Sequence, residues 1–374
     1  MYFIYLFILF SLFSLSTHAY TIQLHLKATN KTILSHHFHA VANPKHSEYQ
    51  NFISKERIEH DLIHIPSSSV RLIRDWIHSS FHDPIEYRFR LNHQILEIST
   101  NSTEDIERNF NVTWIPPTLI YSSTPPTIWN TTIQALVYGT TGLMKVNITR
   151  HTLHGPVGNS SPLVTMTNIA SYYKLPDPLS LPLRQTSGVI CGYEIGQANE
   201  GPFFSYTDLT SFLHGASGIP NSGSISPNVT FYNGVNDPAN AGLEASLDVQ
   251  AILGLNPYMN LTYFYNPSGA GIQDCLIHVL EWSDPLPQVI SISYSTPEVG
   301  YYGSEGVLDA VDGYIQQLGL RGVTVLVSSG DDGAPGYNNK NCNPAYYDLF
   351  VNSNPGLYVE WPASSPHTLA VGAT

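Results

Sequence analysis

Strand and helix signals alternate from Val189 onward, and this alternation limits what the 374-residue chain can fold into more than any other feature. Residues 261–265 (Leu-Thr-Tyr-Phe-Tyr) and 289–294 (Val-Ile-Ser-Ile-Ser-Tyr) are aromatic and β-branched runs of strand length, with a helix-like segment at 272–281 between them. A second helix-like segment at 306–318 leads into the apolar run 322–327, which has the pattern of a strand buried on both faces. Strands joined through helices form βαβ units, so an α/β fold with a parallel sheet flanked by helices is expected.

Glu244 and Asp248 lie four residues apart in the run 242–250, a step that puts both carboxyls on one face of a helix. Leu243, Leu247, Ala251, Ile252 and Leu255 are expected to give that helix a buried stripe beside the acidic pair. Two carboxyls held together in apolar surroundings titrate as a unit, with one proton retained above the ordinary carboxylate range. Such a pair suits a general base that works in acid, where imidazole is already protonated. Acidic residues at this spacing also occur on solvated faces, so the pair takes its meaning from what surrounds it.

The strand at 322–327 empties into Ser328-Ser329-Gly330-Asp331-Asp332-Gly333-Ala334. Asp331 therefore stands at the carboxyl end of a strand, where open α/β sheets carry their sites. Further on, Trp361-Pro362-Ala363-Ser364-Ser365-Pro366 leads into the apolar stretch 368–374. Together with the Glu-Ala-Ser-Leu-Asp-Val-Gln run, these stretches resemble the sedolisin family of serine-carboxyl peptidases, and the acidic helix is most similar to its lysosomal tripeptidyl peptidase branch. The resemblance implies a subtilisin-like parallel sheet, truncated in this chain, preceded by a small α/β activation prodomain.

By that resemblance Glu244 is the general base, Asp248 the acid that orients it and holds its proton, and Asp331 the oxyanion-hole acid. The chemistry fits, because a serine hydroxyl needs a base and the tetrahedral oxyanion needs a neutral donor. Ser293, Tyr294, Ser295 and Gly330 are expected to line the substrate on the same rim. Asp332 departs from the family, which carries a small hydroxyl residue there, and this puts the oxyanion role of Asp331 in question. The family's nucleophilic serine sits in a Gly-Thr-Ser turn well downstream of the Pro-Ala-Ser-Ser-Pro segment, so it is expected beyond Thr374, and the chain alone is expected to be inactive. The calcium implied by the family would likewise find its ligands beyond Thr374, with no metal site in this chain.

The first nineteen residues begin with an apolar run and end in Thr17-His18-Ala19, which suits cleavage as a signal peptide. No later run is long and apolar enough for a membrane span. Eight sequons follow, at Asn30, Asn101, Asn111, Asn130, Asn147, Asn159, Asn228 and Asn260, and favour passage through the secretory pathway to a lysosomal or extracellular destination. With 16 basic and 29 acidic residues the net charge is −13, which argues against a nucleic-acid partner.

Residues 20–160 read as the activation prodomain and 161–374 as the peptidase domain. A Pro turn at Pro44 leads through Tyr49 to a Ser-capped helix. Serine-capped amphipathic helices are expected at 69–77 and from Ser102 to Phe110. The turn-rich segment 155–162 is the expected linker, with processing between residues 155 and 170. By family analogy the prodomain covers the cleft, inhibits it, and is released in acid. Of the three cysteines, Cys191 and Cys275 either pair or stay as buried thiols, the latter being the default. Cys342 resembles a family cysteine whose partner lies toward the carboxyl end. Three function classes are in play: the precursor of an acid-acting peptidase on peptide or protein substrates, exo- or endo-acting; an inactive homologue that binds peptides or regulates an active relative; and an unrelated extracellular adhesion glycoprotein, which the three motifs in order disfavour.

Overall fold

The computed structural model describes residues 20–29, 31–82, 84–112, 127–142, 149–150, 164–181, 186–193, 202–219, 223, 225–266, 271–298, 305–331, 333 and 359–372. The expected signal segment, the linker at 155–162, the sequons at Asn30, Asn147 and Asn159, and Asp332 and Cys342 lie outside these residues.

The amino-terminal part forms a four-stranded sheet from β1 (Tyr20–Leu26), β2 (Glu86–Arg90), β3 (Ile95–Thr100) and β4 (Val137–Thr141), in the order β2-β3-β1-β4. The described α-helices here are α1 (Lys31–Ala42), the short α2 (Lys55–Arg57), which a π-helical turn extends over Ile58–Leu62, α3 (Ser67–Ser80), α4 (Thr103–Asn109) and α5 (Thr131–Leu136). Alternation along the strands separates two faces. Ile22, Leu24, Leu96 and Ile98 point into a core with Ile73, Trp76 and Ile77 of α3 and Ile106 of α4. Ser102 caps α4 by accepting from the Asp105 amide, and Ser54 caps α2 in the same way, as expected. The helix at α3 differs from expectation: it begins two residues before Ser69, and Pro66 stands at its cap with no side-chain hydrogen bond.

The larger sheet has six strands: β6 (Ser187–Tyr193), β7 (Val229–Tyr232), β8 (Asn260–Asn266), β9 (Val289–Ile292), β11 (Thr324–Ser328) and β13 (Leu369–Val371). All five pairings in the order β13-β11-β9-β6-β8-β7 are parallel, so the expected α/β architecture is present. A separate three-stranded sheet joins β5 (Thr149–Arg150), β10 (Tyr294–Pro297) and β12 (Glu360–Trp361). On one face of the six strands lie α6 (Met166–Tyr172), α7 (Tyr206–Ser211) and α8 (Leu243–Leu255). On the other lie α9 (Gln273–Glu281) and α10 (Glu305–Leu320). The strand pattern sorts the side chains accordingly: Val189, Phe264, Ile290 and Ile292 pack under α9 and α10, while Ile190, Leu261 and Tyr263 pack under α7 and α8.

Cys191, on the α9 side of β6, is disulfide-bonded to Cys275 of α9. This corrects the default of free thiols. The two residues face each other because strand alternation sends Cys191 to the face that α9 covers.

The second face of the amino-terminal sheet is not open to solvent. It packs on α9 and α10, opposite α8, through polar groups that sequence patterning alone would leave on the surface. Arg90, with only 5% of its side chain exposed, forms a bidentate pair with Glu281 (2.8 and 2.6 Å) and also contacts Glu97. Gln23 donates to Asp274, and Gln94 and Gln317 exchange hydrogen bonds through their amides. The Ile53 amide donates to the Leu320 carbonyl, and Leu320 lies in a core with Leu34, Val41 and Ile58. Among the described residues, β5 pairs antiparallel with β10, just past the carboxyl end of β9.

Candidate active site

The order of the strands reverses beside β6. β7 and β8 are added on one side, and the chain then crosses to β9, β11 and β13 on the other. Crevices at the carboxyl ends of strands flanking such a reversal are where α/β sheets hold ligands. Helix α8 crosses the sheet here.

Its buried face differs from the expected stripe. Ala245, Val249 and Leu253 are fully buried, whereas Leu243 is 69% and Leu247 43% exposed. The small side chains of Ala245 and Val249 let the helix approach the strands closely. The run is apolar nearly all round, so periodicity could not select the face. The turn of about 100° per residue that exposes the two leucines carries Asp248 inward.

Asp248 is 8% exposed, and its Oδ1 accepts a 2.6 Å hydrogen bond from the hydroxyl of Ser293, just past the end of β9. Burial pushes the Asp248 pKa up to about 7, against the opposing pull of the Ser293 hydrogen bond. Glu244, half-buried, sits one turn earlier on the same flank of α8. Both carboxyls act electrostatically on the hydroxyl of Tyr263, a fully buried residue of β8 whose own pKa is raised by burial and then by Tyr294, Asp248 and Glu244. Tyr263 escaped the sequence reading. The available signal was strand alternation, which points residues 261 and 263 toward the acidic helix.

Gly192 of β6 lies between these groups. A Cβ there would stand 2.1 Å from the Tyr263 hydroxyl oxygen, so only glycine leaves room for the ring. Asp331 follows β11, the neighbour of β9, and is exposed on the same carboxyl rim. Gly330 before it has φ +95, a left-handed turn that glycine adopts without strain.

The structure brings Glu244, Asp248 and Ser293 together and places Asp331 one strand away. It does not present the other expected substrate-lining side chains. Tyr294 and Ser295 are buried, with Ser295 donating 2.9 Å to Glu360. The reason is the switch at Ser293, where the chain leaves the parallel sheet and Tyr294 turns into the core with Trp361. Ser293 itself points at Asp248 rather than outward. Of the described sequons, Asn101 and Asn130 are exposed, and Asn130 caps α5. Asn111 is half-buried, and Asn228 and Asn260 are half-buried and hydrogen-bonded to each other at 2.7 Å. Among the described residues no three His, Cys, Asp or Glu are grouped to hold a metal ion. No helix among them is long and apolar enough to cross a membrane.

No family model matches the chain. Tripeptidyl-peptidase 1 of Macaca fascicularis is 26% identical over 175 residues, taking in 46% of this chain and 28% of that protein. Tripeptidyl-peptidase 1 of Dictyostelium discoideum is 34% identical over 147 residues, 37% of this chain and 21% of that protein. Among solved structures, a Pseudomonas sedolisin complexed with pseudo-iodotyrostatin aligns with a TM-score of 0.40 at 21% identity, over 57% of this chain and 54% of that one. The chain thus spans well under half the length of these curated relatives. At low identity and over part of its length, the chain is related to the sedolisin family of serine-carboxyl peptidases.

Proposed function

We propose that this chain carries the acidic half of a serine-carboxyl peptidase that cuts peptides in acid, made as a precursor in the secretory pathway and destined for a lysosomal or extracellular compartment. Glu244 is the general base: it takes the proton of a serine hydroxyl as that oxygen attacks the scissile carbonyl, then returns it to the leaving amine. Asp248 orients Glu244. Retaining its own proton up to about 7, it keeps a second negative charge away from the base throughout the acid range. Asp331 donates to the tetrahedral oxyanion from the neighbouring strand end, a role that requires its carboxyl to carry a proton. By resemblance, the complete reaction also takes a serine nucleophile and a calcium ion.

The observation that carries this reading is the buried, Ser293-bonded Asp248 one helical turn from Glu244, at the strand-order reversal. Residues 20–160, which include β5, are proposed as an activation prodomain and intramolecular inhibitor. Support comes from β5, which occupies the edge of β10 as an antiparallel strand, the pairing a bound peptide would adopt. The test uses the full-length gene product matured in acid. Cleavage of peptides near pH 4 that is lost in Glu244→Gln and Asp331→Asn, with folding intact, supports the assignment. A full-length product inert on every peptide tested would point instead to the peptide-binding or regulatory homologue.

A further inference from the structure

We propose that Ser293 and Tyr263 are positioning residues for Asp248, holding its carboxyl between two hydroxyls above the bare backbone of Gly192. The inference rests on the proposed role of Asp248 and adds two residues that need touch no substrate.

The geometry begins with β6, which has β9 on one side and β8 on the other. Ser293 follows β9, and Tyr263 belongs to β8. Both side chains lie on the α8 face, and Gly192 lies on that face between them. Ser293 fixes one carboxyl oxygen at 2.6 Å. The other, Oδ2, is buried without a hydrogen-bond partner among the described residues, and so is the hydroxyl of Tyr263. A hydroxyl and a carboxyl oxygen buried on the same face are each costly alone and satisfy one another when they meet. The space for that meeting exists because Gly192 has no side chain, and a Cβ there would displace the Tyr263 ring.

This arrangement also decides where the proton of Asp248 sits. Oδ1 accepts from Ser293, so the neutral acid carries its proton on Oδ2, the oxygen with no partner among the described residues. The groups facing this carboxyl are Glu244 on its own helix, the neutral donor Ser293 after β9, Tyr263 on β8 and, through Tyr263, Tyr294 of β10. Removing either hydroxyl removes a donor that favours the ionised form. The carboxyl then holds its proton to higher pH.

The readout is the titration of the Asp248 carboxyl itself, followed by carbon NMR of the complete chain labelled at aspartate, with the signal assigned by its loss in Asp248→Asn. A midpoint near the value of about 7 is expected for the parent chain. Ser293→Ala should raise it by about one pH unit, and Ser293→Thr should restore it to within about 0.3. Tyr263→Phe, which keeps the ring in place, should also raise it, by roughly half a unit. A Ser293→Ala midpoint within about 0.2 of the parent, or one that Ser293→Thr fails to restore, would overturn the role of Ser293. An unmoved midpoint in Tyr263→Phe would remove Tyr263. Thermal unfolding of each variant separates these outcomes from a collapsed fold. No peptide substrate is needed, so the result is independent of whether the chain belongs to an active peptidase.

Discussion

Nδ1 of His25 in β1 and the hydroxyl of Tyr314 in α10 are hydrogen-bonded at 3.0 Å across the join between the two sheets. The other ring nitrogen is 3.1 Å from Thr141 Oγ1, and no part of the residue reaches solvent. Burial pulls the His25 pKa from 6.5 down to about 4. The folded value is below the unfolded one, so the contribution of the neutral ring is complete above 6.5 and is lost as the pH falls through 4. The unfolding free energy is expected to drop by about 3 kcal/mol over that window. Urea titrations at both ends of it should show a smaller drop in His25→Gln. An equal drop would mean that another group senses the acid.

Arg90 and Glu281 join the same two sheets. Burial alone would lower the Arg90 pKa, but Glu281, Glu97 and Asp274 outweigh it and hold the guanidinium charged. Burial raises the Glu281 carboxyl, and the hydrogen bond and charge of Arg90 more than reverse this, leaving its pKa lowered. That stabilisation is present above the unfolded carboxylate value and fades as the pH falls through the folded one, the same direction as His25. Arg90→Ala is expected to destabilise the fold by about 3 kcal/mol. Arg90→Lys should recover less than half of this, since an ammonium cannot make the two-pronged contact. Full recovery by lysine would show that charge alone matters.

These two contacts mark what the sequence could and could not reveal. The α/β alternation, the helix with Glu244 and Asp248, and the turn at Asp331 were legible because each depends on local pattern. The polar face of β1 and β2 was not, since Gln23, His25 and Arg90 look solvent-facing until α9 and α10 are seen to cover them. The buried face of α8 was misplaced because Leu243 and Leu247 outweigh Ala245 and Val249 in apolar size, yet the smaller pair allows the closer approach. Ser293 was legible as a strand-end residue, but its contact with Asp248 was not. The resemblance put it beside the substrate, and the partner of its hydroxyl, 45 positions earlier in the chain, follows only from the fold that brings α8 over the end of β9.

The Cys191–Cys275 bridge closes a loop of 84 residues between a central strand and the helix that covers it. On the chain-entropy account, a loop of this size contributes about 4.5 kcal/mol. Cys191→Ser with Cys275→Ser is expected to lower the denaturant midpoint accordingly, and reductant should lower the midpoint of the parent chain but not of the double variant. A reductant effect of equal size in the double variant would place the sensitive bond elsewhere.

Asp248 should bend the stability curve in the opposite sense to His25. Its folded pKa, about 7, lies above the ordinary 3.8, because a carboxylate beneath α8 loses hydration that one hydroxyl does not replace. Below 3.8 the folded and unfolded chains are both protonated at this residue, and it contributes no pH dependence. Between 3.8 and 7 the unfolded chain releases the proton while the folded chain keeps it, so stability declines as the pH rises and the full penalty is present above 7. The loss is on the order of 4 kcal/mol. Asp248→Asn, which keeps the shape and cannot ionise, should flatten this alkaline limb while leaving the acid limb set by His25 and Glu281 in place. Were the variant to lose stability between about pH 5 and 8 as steeply as the parent, the carboxyl would have to be ionised in the folded chain already. Asp248 could then not hold the proton that spares Glu244 a charged neighbour.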